Sequence, residues 1–144
     1  MGEIFSSSRV FLACLESPLA TVTRGLVAAR NAGLVTILNP APATVRILQD
    51  DVLPHVDILT PNRVEAQALS DVEVSDLDSA IAAARKLQEL GAGAVVLTLG
   101  ADGCLVLENE PTAVPAPRVQ AVDTTGAGDT FNGALAVALS EGRS

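Results

Sequence analysis

Short apolar runs alternate with stretches of helical spacing along almost the whole chain. Parallel α/β construction produces that pattern, because each buried strand is followed by a helix that crosses back over the sheet. "RVFLACLE" (9–16) predicts a first buried strand. Ser17 is then placed to cap a helix with Pro18 at its first position, and Leu19, Val22, Leu26 and Ala29 share a face that Gly33 closes. "LVTILN" (34–39) predicts the second strand and runs into the proline-broken loop "PAPA". After a short helical stretch near 44–53, "VDILT" (56–60) predicts a third strand, stopped by Pro61.

"NRVEAQAL" (62–69) predicts a short helix with Asn62 as its N-cap and Glu65 as the capping-box partner. Ser75 and Asp78 form a second candidate box ahead of Leu77, Ala80, Ile81, Ala84 and Leu87, a helical face that Gly91 ends. "AVVLTL" (94–99) is the most strand-like segment, and "GADG" turns it into "CLVLE", an antiparallel return strand. "RVQAVD" (118–123) leads into "DTTGAGDTFNGALAVALSEG", where Phe131, Ala134, Leu135, Ala138 and Leu139 recur at helical spacing.

At 144 residues, 49% apolar and 18% charged, the chain has the length of one packed domain. Strand-like sequence begins within about ten residues of Met1, and Ser144 follows a helix with nothing further to pack on it. An uncovered parallel sheet is unfavourable, so a piece of a larger protein is expected over a compact small domain. The net charge of −8 argues against nucleic acid or anionic membrane as partners, and any phosphate must be held locally. Without Trp or Tyr, and with only three Phe, stacking on bases by interleaved aromatics is excluded. Cys14 and Cys104 lie in strand-like runs and read as free thiols of a reducing compartment. "FLAC" (11–14) has the look of a lipoprotein cleavage box, but the acidic "MGEIFSSSRV" before it does not suit a signal peptide. No apolar run reaches membrane-spanning length, and the expected location is cytoplasmic.

Gly126, Ala127 and Gly128 stand just before Asp129 at the start of an apolar helix. Glycine disfavours helix, so its use here suggests that something must approach the backbone closely. Open N–H groups and the helix dipole make such a turn an anion site. No GxxxxGK[ST] occurs, and GxGxxG fails at Phe131. A carboxylate within an anion site suits proton removal from a hydroxyl that attacks a phosphoryl group. The plainer reading of Asp129 is a first-turn acidic residue on an ordinary helix, and the local pattern leaves both open.

"DTTGAGDTFNGAL" resembles the C-terminal signature of the ribokinase family, the PfkB carbohydrate kinases. "LESP" (15–18) and "NPAPA" (39–43) are similar to stretches of its ribokinase members, "TPNRVEA" (60–66) to the family's NxxE element and "TLGADG" (98–103) to its nucleotide loop. The resemblance implies a three-layer α/β/α fold with a mainly parallel sheet. It implies ATP-dependent phosphorylation of a sugar's primary hydroxyl, D-ribose to D-ribose 5-phosphate, with a fructokinase-like or nucleoside kinase as the alternative. By the same resemblance Asp129 is the base, and the amides of Gly126, Ala127 and Gly128 form the anion hole. The resemblance also implies that Glu16 and Asp129 contact the sugar. It implies that Asn62, Thr98, Leu99, Gly100, Ala101, Asp102, Gly103 and Gly128 line the nucleotide site, with Thr98 and Gly100 foremost. Asp123 and Thr125 match ligands of a monovalent cation, K⁺, and Glu65 matches a residue that organises Mg²⁺ through water.

The resemblance covers nearly all of residues 1–144 but only a C-terminal portion of the family's catalytic domain. A partial domain is therefore expected, lacking the N-terminal sugar-binding and lid part and the extreme C-terminal part, from a parent that is a homodimer. Without a lid to exclude water the isolated chain is expected to be poorly active or inactive, and a non-catalytic nucleotide-binding fragment is the alternative from another class. Glu16, Asn39, Asn62 and Gly100 all fall at or just beyond the carboxyl ends of predicted strands, where open parallel sheets bind ligands. His55 has no evident partner, Arg63 suits an exposed helix position better than a phosphate, and no Cys or His spacing suggests zinc.

Overall fold

The computed structural model describes residues 5–49 and 51–143. Among these, six strands lie in one sheet in chain order. They are β1 (Val10–Cys14), β2 (Val35–Asn39), β3 (Ile58–Leu59), β4 (Ala94–Thr98), β5 (Cys104–Leu107) and β6 (Pro111–Val114). The first four run parallel. Their crossovers carry α1 (Leu19–Asn31), α2 (Arg46–Gln49), α3 (Arg63–Ser70) and α4 (Leu77–Glu89). β5 and β6 return antiparallel, and α5 (Ala127–Ser140) follows. The short helical stretch expected near 44–53 resolves into α2 and a 3₁₀ turn at Leu53–His55, with Asp50 outside the described residues.

The strand register sets Ala13, Leu38, Leu59 and Val95 in one row. That row meets Val22 and Leu26 of α1, Ala66 and Leu69 of α3, and Ala84 and Leu87 of α4 in the main core. Each fully buried leucine there contributes about 1.5–3 kcal/mol. α5 lies against the opposite face, giving the three layers. Its cover is partial: Leu12 of β1 is 38% exposed, and the one buried residue of α5 is Asn132. The apolar face expected at Phe131, Ala134, Leu135, Ala138 and Leu139 is thus half-buried at best, and Ala134 is exposed. No helix among the described residues is long and apolar enough to cross a membrane.

Two caps are displaced by one residue from their expected places. Pro18, not Ser17, is the N-cap of α1; its carbonyl accepts the first helical bonds, from Thr21 at 2.8 Å and Val22 at 3.2 Å. For α4 the box is Asp76 with Ser79, not Ser75 with Asp78. Asp76 Oδ1 accepts the Ser79 N–H at 2.8 Å, and Ser79 Oγ accepts the Asp76 N–H at 2.9 Å. Both alternatives place cap-forming residues three apart, and the ionised carboxylate is the stronger acceptor.

Hydrogen bonds from the Ser79 side chain and then its backbone hold the Asp76 carboxyl below its ordinary value of 3.8. With the folded pKa depressed, the stabilisation is complete above the unfolded value and is lost as pH falls through the folded one. Asp76→Asn keeps an acceptor but cannot titrate. The wild type is expected to show the higher thermal midpoint at neutral pH, and the difference should shrink on acidification to about pH 2.

Candidate active site

The carboxyl ends of β1 to β4 form the edge on which the predicted residues gather. Asn39 ends β2, Asn62 follows β3 and caps α3, and Gly100 follows β4. α5 is brought to this edge by buried polar contacts. The Thr60 hydroxyl donates to Asn132 Oδ1 at 2.6 Å, and Asn132 Nδ2 donates to the Gly128 carbonyl at 2.9 Å. Asn39 Nδ2 donates to the Thr60 carbonyl at 2.9 Å.

The turn into α5 needs glycine at Gly126, whose φ of 72° lies in the left-handed region. No side chain caps this helix. Ala127 already donates its amide to the Thr124 carbonyl at 3.1 Å, whereas the amides of Gly126, Gly128 and Asp129 meet no acceptor among the described residues. The open set therefore differs from the predicted Gly126–Ala127–Gly128 trio by one residue. A methyl group at Gly128 would meet nothing within 4 Å, so space is open beside that backbone. The Asp129 carboxylate lies back over the turn, with Oδ2 3.9 Å from the position of a Cβ on Gly126.

Three cavities adjoin this turn. One of about 200 Å³ is lined by Asn39, Thr60, Asn62, Glu65, Thr124, Gly126 and Asp129 among others. A second, of about 190 Å³, lies between Asp129, Asn132 and the β1 residues Leu12, Ala13 and Cys14. The third is an apolar cleft of about 380 Å³ walled by Gly100, Gly103, Cys104, Val114, Pro115, Ala116, Pro117 and Phe131. Thr98, Ala127 and Gly128 line both the cleft and the first cavity. A ligand with a flat apolar end and an anionic tail would fit across that junction, the tail meeting the open amides.

Other predicted residues take varied positions. Asn62 and Glu65 form a reciprocal capping box, each accepting the other's backbone N–H at 2.9 Å, and both line the cavity beside Asp129. Of the loop expected to hold nucleotide, Thr98, Gly100 and Gly103 face the cleft. Leu99 is 8% exposed and packs in the core. Ala101 is exposed and lines none of the three cavities, while Asp102 pairs with Arg63 at 2.7 Å. Glu16 is exposed in the turn after β1 and lines none of the three cavities. Asp123 Oδ1 accepts the Thr125 N–H at 2.8 Å, and hydrogen bonds from Thr125, its backbone first, hold the Asp123 carboxyl below the usual range. His55 lies at the far end of the sheet, where its carbonyl accepts the Thr36 hydroxyl at 2.8 Å.

Several lining residues were not foreseen: Thr60, Asn132, Phe131 and the Val114–Pro117 wall. Only the paired prolines in "VPAP" hinted at a rigid wall. Cys14 and Cys104 are both free, and burial raises the Cys104 thiol above its ordinary value. Among the described residues no group of three or more His, Cys, Asp and Glu could hold a metal ion by itself. Mg²⁺ is commonly bound by one or two carboxylates together with phosphates, and Glu65, with one oxygen left beyond its cap, fits that manner.

A family model described as "pfkB family carbohydrate kinase" matches residues 3–144. The ribokinase of Haemophilus influenzae is 43% identical over 140 residues, covering 96% of this chain and 45% of that protein. The deoxyribokinase of Salmonella typhi is 38% identical over 136 residues, covering 94% of this chain and 44% of that protein. The solved structure of Arabidopsis thaliana ribokinase complexed with ribose and ATP aligns with a TM-score of 0.90 at 32% identity, over 99% of this chain and 46% of that one. The chain thus spans less than half the length of these relatives.

Proposed function

Because the chain belongs to the pfkB family of carbohydrate kinases, we propose that it carries the phosphoryl-transfer part of an ATP-dependent sugar kinase. The proposed reaction converts D-ribose to D-ribose 5-phosphate. The observation that carries this reading is Asp129 at the uncapped N-terminus of α5, lining two cavities while its neighbour Gly128 lines the apolar cleft. In the proposed reaction the sugar's primary hydroxyl attacks the γ-phosphorus of ATP. The new O–P bond forms as the bond to the β-phosphate oxygen breaks, ADP leaves, and the hydroxyl proton passes to Asp129. The open amides of Gly126, Gly128 and Asp129, with the dipole of α5, would stabilise charge on the transferring group.

Mg²⁺, when bound, neutralises charge on the phosphates, and Glu65 would help hold it through water. Asp123 and Thr125 would supply oxygen ligands to K⁺, the Asp123 carboxyl staying ionised because of its bonds from Thr125. The rest of the sugar site and the lid are proposed to lie outside these 144 residues. The whole kinase is read as a cytoplasmic homodimer, and the net charge of −8 on these 144 residues supports the absence of nucleic-acid and membrane partners for this part.

Exposure favours a second reading. Every residue from 117 to 130 is exposed, and phosphoryl transfer to a sugar depends on excluding water. A nucleotide-binding module without turnover would tolerate that openness. The test is ADP formation by the full chain with MgATP and K⁺, alone and with D-ribose, 2-deoxy-D-ribose or D-fructose. Any ADP formed is expected to depend on D-ribose and to form slowly, because the rest of the sugar site and the lid are proposed to lie outside these residues. Dependence on another sugar alone would reassign the substrate, and nucleotide binding without ADP would make these 144 residues a fragment that needs the rest of its sugar site and lid for turnover.

A further inference from the structure

We propose that Asn132 is a positioning residue for the phosphoryl site, held in place by Thr60. Asn132 is 4% exposed and Thr60 1%, and the two are 72 residues apart in the chain. α5 has no other buried residue and no side-chain cap, so hydrophobic packing does little to fix where its first turn sits. The polar connection takes that role. Asn132 Nδ2 must face the Gly128 carbonyl, 2.9 Å away, because a reversed amide would set two acceptors together. Oδ1 is thereby directed at the Thr60 hydroxyl, whose single proton goes to it at 2.6 Å in preference to the Leu38 carbonyl at 3.3 Å. Gly128 lines both the cleft and the cavity of Asp129, so this bond ties the junction of the two to the end of β3.

The ligand arm of the test rests on the kinase reading; the motion arm does not. Thr60→Val removes the hydroxyl at nearly constant shape, and Thr60→Ser retains it. In the full chain, ¹⁵N order parameters at Gly126–Asp129 should fall from about 0.85 in the wild type and Thr60→Ser to below about 0.6 in Thr60→Val, with β4 unchanged. Affinity for MgATP should weaken about tenfold in Thr60→Val, while affinity for adenosine, which has no phosphate, is retained. An unchanged or already mobile turn, or equal loss for both ligands, would overturn the assignment. If the wild type binds neither ligand, the kinase reading fails, and the order parameters alone decide the role of the Thr60–Asn132 bond.

Discussion

Asp129→Asn is expected to lower sugar-dependent ADP formation by about 10²–10⁴-fold while leaving MgATP affinity nearly unchanged. The substitution preserves shape and the backbone amides, but an amide oxygen cannot take the hydroxyl proton at neutral pH. Asp129 accepts no hydrogen bond from any described residue, so its substitution breaks no fold contact, and only its interaction with the dipole of α5 is lost, which should lower the thermal midpoint slightly. Loss of a negative charge beside the phosphates would, by itself, favour nucleotide binding slightly. A fall in turnover together with intact or tighter MgATP binding is therefore the signature of a base. Turnover that survives the substitution would return Asp129 to an ordinary first-turn acidic residue. Binding without turnover in both proteins would mark these 144 residues as a fragment that needs the rest of its sugar site and lid for turnover.

The strands β1 to β4 were legible because they lie between helices and read as continuous apolar runs. The α5 entrance was legible for the opposite reason: glycines there oppose local helix propensity, so their presence needs another cause. β6 left little trace, since it has four residues, begins with Pro111 and is exposed at Thr112, Ala113 and Val114. The caps of α1 and α4 slipped by one residue because neighbouring Ser, Asp and Pro all suit a helix start. Thr60 and Asn132 meet only through the fold, and nothing local announces such a pair. The one sequence signal was a polar residue set within an apolar helix, directly after Phe131. The loop 98–103 shows a similar limit: the sequence marks it as one unit, yet Leu99 packs inward, Asp102 turns to Arg63, and Gly100 and Gly103 face the cleft.

Gly103→Ala is expected to destabilise the chain by about 3–5 kcal/mol, combining backbone strain with overpacking. The position has φ 99° and ψ −130°, a region that essentially only glycine enters. A Cβ there would also run into the Val114 carbonyl oxygen and lie 2.6 Å from the Ala116 backbone nitrogen. These are backbone atoms at the exit of β6, so no side-chain rotation relieves the contact. The thermal midpoint should fall by about 10 °C for a domain of this size. Gly100→Ala is the control: its φ of 65° is left-handed too, but a methyl group there meets nothing within 4 Å. It should cost only about 1 kcal/mol. Equal midpoints for the two variants would show that dihedral strain accounts for the loss and that the approach to Val114 contributes nothing. The close approach also has a functional side, because Val114 to Pro117 wall the apolar cleft. Displacing that wall should weaken adenosine binding at temperatures where Gly103→Ala is still folded. Gly103 would then serve the proposed nucleotide site by letting its wall come close, without itself donating to the ligand.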